Sequence, residues 1–149
     1  MKRVPKSSPV EAAVLRAKAN KAAREHATNL LHARLQMWSA VDGEDGTDLL
    51  SKLALSIGVP CVAWHDEHGR AEPAVRLLHG ALRTIQQMCL EGYRWRSANA
   101  PALDRALELA SEYRSSARPD LFMQAWIDAV TFSAEILAHK VTSETISSN

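Results

Sequence analysis

Cysteine is scarce in this 149-residue chain: Cys61 and Cys89 cannot make a disulfide framework or a four-cysteine zinc site. Glycine is also scarce, and the six present are scattered singly, so no phosphate-cradling loop can be assembled from them. There is no Gly-x-Ser-x-Gly, no His-Glu-x-x-His and no Glu-x-x-His, which removes the common hydrolase, zinc-protease and di-iron signatures. Long apolar runs are missing too. The longest, residues 53–64, is interrupted by Ser56, Gly58 and Pro60 and falls short of the ~20 residues that cross a bilayer. Lys2, Arg3 and Lys6 have no apolar region behind them and do not read as a secretory leader. The expectation is a soluble, cytoplasmic protein with no membrane partner, no metal and no cofactor. No segment alternates as a strand pair would.

What is present is helical. The chain is 46% hydrophobic and 23% charged, the composition of a globular domain. Its prolines stand where first helical turns tolerate them, after Ser8, Glu72, Ala100 and Arg118, and Gly58 and Gly92 follow apolar periodic runs. This punctuation predicts an all-α bundle of four to five helices over about 9–38, 47–57, 73–91, 101–117 and 120–140. A flexible N-terminus (1–8) and a frayed polar tail (141–149) flank this single domain.

The first helix is long, basic and alanine-rich. Leu15, Ala19, Ala22, His26, Leu30 and Met37 recur three or four apart, so they share one stripe. Alanine favours the helix but buries little area, so that stripe suits close approach rather than a large core. Leu31, Leu35 and Trp38 widen the apolar surface and predict firm docking at its end. Residues 1–35 hold eight basic residues against two acidic ones, net +6, and the remainder holds ten against fifteen, net −5. Such asymmetry fits a basic rod meeting either an acidic body or a polyanion.

Three clusters could carry chemistry. Cys61, His65 and His68 are ligand types for zinc, but no second ligand pair follows, so a solvated loop accounts for them. Residues 53–59 resemble the first helix and turn of a helix-turn-helix. The segment after them holds Asp66 and Glu67, which would repel phosphates, so a core helix capped by Gly58 is the better reading. Tyr93-Arg94-Trp95-Arg96 interleaves rings with guanidiniums, as single-strand binders do, and equally describes rings plugging a bundle end. Gly80, inside the third helix, predicts that another backbone passes close by.

These patterns point to a non-catalytic regulatory or adaptor protein. It would act through a helix face on a protein partner, with the Leu15–Met37 stripe as the seam of a homo-oligomer. The alternative is a nucleic-acid accessory protein using Arg16, Lys21, Arg24, Arg94, Trp95 and Arg96.

Overall fold

The computed structural model describes residues 8–69, 71–118 and 120–129. The expectations for residues 1–7 and 130–149 lie outside them. The fold is an all-α bundle: α1 (Pro9–Ser39), α2 (Thr47–His68), α3 (Pro73–Leu90), a single 3-10 turn (Ser97–Asn99), α4 (Ala100–Ser116) and helical residues 120–129, called α5. α2 is the hub, packing on α1, α3 and α4. By length and composition alone α2 could cross a membrane, but half of its apolar window is buried in the bundle, as a central helix requires.

Local chemistry starts the helices as expected. The Ser8 hydroxyl accepts from the Glu11 N–H at 3.1 Å, and the Glu11 carboxylate accepts from the Ser8 N–H at 3.3 Å. With Pro9 at the first position this is a capping box. Pro73 and Pro101 occupy the opening turns of α3 and α4. The expected core residues of α3 and α4, among them Leu78, Ile85, Met88, Leu103, Leu107 and Tyr113, are buried.

The second helix departs from expectation. It does not end at Gly58 but runs to His68, with Gly58 and Pro60 inside it. Two observations account for this. The apolar run continues and is buried on two sides, Val59 and Ala63 against Tyr113 and Phe122 and Cys61 in the core shared with α3. In addition, the carbonyl that Pro60 deprives of a helical partner, four residues back on Ser56, receives another donor: His26 Nε2 of α1 lies 2.8 Å from it. Because a carbonyl only accepts, Nε2 carries the proton. Gly58 is a mid-helix contact instead of a cap, where an added Cβ would come within 3.9 Å of Leu82.

The bundle end between α1 and α2 is closed by two interlocked loops. Gly43 N–H donates to Trp95 O and Gly46 N–H to Tyr93 O, both at 2.7 Å, while Trp95 N–H donates to Glu44 O at 3.0 Å. Gly46 fits closely here: a Cβ would lie 3.2 Å from Trp95 N, so an added side chain would have to push that backbone aside. Glycine at 80 is not explained this way, since nothing lies within 4 Å of a Cβ added there. The expected close backbone approach at Gly80 is therefore absent, although glycine costs a mid-helix position about 1 kcal/mol relative to alanine.

Candidate functional site

α1 has two apolar faces, and the bundle uses only one. Ala19, Ala22, His26, Leu30, Ala33 and Met37 are buried against the rest of the chain. The seam expected to be free for self-association is thus consumed internally from Ala19 onward, and Leu15, its first member, is exposed. The physical reason is that small residues let α1 lie close against its neighbours, with Ala33 fully buried.

The opposite face carries large side chains too. Leu31, Leu35 and Trp38, expected to dock firmly, are 54%, 63% and 57% exposed. Their spacing of four and three residues puts them on one stripe, turned away from the buried one. Val41, just beyond the helix, is also exposed. Trp38 is nonetheless held in place, its indole N–H donating to Asp104 Oδ1 at 3.1 Å. Arg34 donates to both oxygens of the same carboxylate, at 2.6 and 2.9 Å. This fork, together with Trp38, holds the Asp104 carboxyl below its ordinary range despite partial burial. The result is a fixed aromatic ring on the surface rather than a wandering one.

Further toward the N-terminus, about a quarter-turn round the helix toward α2, Lys21, Arg24, Glu25, Thr28, Asn29 and His32 line a shallow hollow of about 360 Å³. Arg16, Lys21 and Arg24 are all exposed. α1 therefore presents to solvent a basic stretch in its N-terminal half and a leucine–tryptophan stretch near its C-terminal end.

The polynucleotide constellation does not come together. Trp95 is fully buried as the plug of the bundle end, where it cannot stack on a base. Arg94 and Arg96 remain exposed, but the Arg94 backbone pairs with that of Asp45 as an isolated antiparallel bridge, and the Asp42 carboxylate accepts from the Ser97 N–H at 2.8 Å. The loop is thus tied to the acidic turn that holds Asp42, Glu44 and Asp45. It also lies at the far end of α1, about 22 Å from Arg24 and about 35 Å from Arg16 at 1.5 Å per residue. The zinc trio is dispersed as well. His65 and His68 are exposed, Cys61 is buried with its thiol pushed up by burial, and no metal-ligating cluster occurs among the described residues.

His26 proves to be a structural junction. Its ring is fully buried, meeting Phe122 and Trp126 edge-on at 5.2 and 6.1 Å. Burial pulls its pKa down from 6.5 to about 4, aided by the Arg114 charge and opposed by the bond to Ser56. The neutral ring, protonated on Nε2, leaves Nδ1 facing Arg114 Nη1 at 3.5 Å. A second joint links α2 to α4: Trp64 stacks on Tyr113 at 4.5 Å, and the Tyr113 hydroxyl donates to Glu67. The sequence shows that α1 has two apolar faces but carries no signal that says which of them the bundle keeps. Comparison with protein-family models, with curated proteins and with solved structures gives no match.

Proposed function

We propose that this chain is a non-catalytic regulatory or adaptor protein that acts through the outer face of α1, pairing there with a second copy of itself. The observation that carries this reading is the exposed stripe of Leu31, Leu35 and Trp38 beside a basic hollow. Large apolar side chains aligned on a helix surface are what interface centres are made of, and a rigid tryptophan is the commonest anchor.

Charge selects the orientation. Two α1 helices laid antiparallel about a two-fold axis near residue 33 bring Leu31 level with Leu35 of the second copy. Trp38 then faces Thr28, at the hollow, and the Lys21–Arg24 stretch is carried toward the loop that follows α1 in the second copy, with its Asp42, Glu44 and Asp45. A parallel pairing would instead set basic stretch against basic stretch. The antiparallel arrangement is isologous, each patch meeting its own copy, and joins the +6 segment to the acidic remainder.

Sedimentation equilibrium of the full chain, from low micromolar to near-millimolar, tests the reading. The wild type is expected to pass from monomer to dimer. Leu35→Glu, which places a carboxylate in the centre of the stripe, is expected to stay monomeric with its helical circular dichroism intact. A wild type that remains monomeric across the whole range would refute the proposal.

A further inference from the structure

On the side of the bundle built from α2 and α3, with no contribution from α1, lies a cleft of about 620 Å³. That volume suits a small organic molecule. Cys61, Val62 and Val75 supply apolar wall, Arg76 and Arg83 supply charge, and Gly80 lies between the two arginines. The two guanidiniums are seven residues apart on one face of α3, about 10 Å along the axis. His65 and His79 complete the lining, which contains no carboxylate. Asp66, 3.6 Å from His65 Nδ1, stands outside the lining, and neither Arg76 nor Arg83 makes an ion pair among the described residues.

Gly80 is the independent observation. Its backbone is ordinary helix, no atom of the described residues lies within 4 Å of a Cβ built there, and every residue but proline would favour the helix more. Neither conformation nor packing calls for glycine. What the missing side chain does is leave open space between two unpaired arginines.

We infer that this cleft binds a small phosphate monoester with a compact apolar body. A phosphate monoester carries nearly two negative charges near neutrality, matching two guanidiniums whose planar forks suit phosphate oxygens. The apolar body lies against Val62 and Val75, over the floor at Gly80.

Phenyl phosphate titrated into the full chain by calorimetry, beside inorganic phosphate and phenol, tests the inference. Phenyl phosphate binds saturably with one site per chain and about tenfold or more tighter than either half-molecule, because both parts of the cleft are engaged. Arg76→Gln and Arg83→Gln each weaken it roughly tenfold. Gly80→Leu abolishes binding while raising Tm by about 3 °C, because leucine fills the floor and favours the helix. That rise separates lost binding from lost folding. Absence of saturable binding, equal affinity for inorganic phosphate, or unchanged binding by Gly80→Leu overturns the inference.

Discussion

The two faces of α1 share an apolar character but not a fate. Ala19, Ala22, His26, Leu30, Ala33 and Met37 point into the bundle, while Leu31, Leu35 and Trp38 point out of it. Leaving two leucines and a tryptophan in water forgoes the apolar area that their burial would remove. On the proposed reading the inner face serves fit and the outer face contact. The two should therefore respond to different measurements, one to stability and the other to association.

The largest expected effect on the inner face is acid sensitivity through His26. Its folded pKa of about 4 lies below the ordinary 6.5, so between those values the unfolded chain binds a proton that the folded chain does not. Stability is complete above pH 6.5 and falls by about 3 kcal/mol as pH drops toward 4. The carboxylates held low by ion pairs, Asp48, Asp104 and Asp120, lose their contribution only below that window. Urea unfolding across this range should show the decline in the wild type and a flat profile in His26→Leu.

His26→Leu itself should cost about 2 kcal/mol near neutrality, because it strands the Ser56 carbonyl. Pro60→Ala should cost less in that background than in the wild type, or even stabilise, since the restored N–H can take the abandoned acceptor. A double-mutant cycle with no coupling between positions 26 and 60 would show that the two are unrelated. Ala33→Leu, at a fully buried position, should cost another 1–3 kcal/mol or so by prising α1 from its neighbours. By contrast, Leu35→Glu on the outer face should change monomer stability by no more than about 0.5 kcal/mol while removing association.

How far the sequence was legible depends on whether the deciding contact is local. Ser8-Pro9, Pro73 and Pro101 mark helix starts through chemistry confined to one turn, and there expectation and structure agree. Pro60 misleads because its rescuer, His26, lies more than thirty residues away. Nothing in the letters around Pro60 announces it. Leu31, Leu35 and Trp38 mislead in another way: periodicity reveals that two faces are apolar but not which one the bundle keeps. Of the surface candidates, the basic residues Arg16, Lys21 and Arg24 were legible as exposed, because charge off an apolar stripe goes to water. Trp95 was not, since a ring between two arginines is equally plug or platform, and Gly43 and Gly46, from a distant loop, pin it as a plug.

The proposed pairing and its register can be tested most directly by a pulsed electron-spin distance between nitroxides on Ser39→Cys chains, with Cys61 and Cys89 replaced by alanine. Antiparallel helices centred near residue 33 place the two labelled positions about 20 Å apart, twelve residues offset along the axes and one helix spacing across. A distance near 10 Å would mean parallel pairing, and no dipolar coupling at high concentration would mean no pairing. Either result contradicts the account.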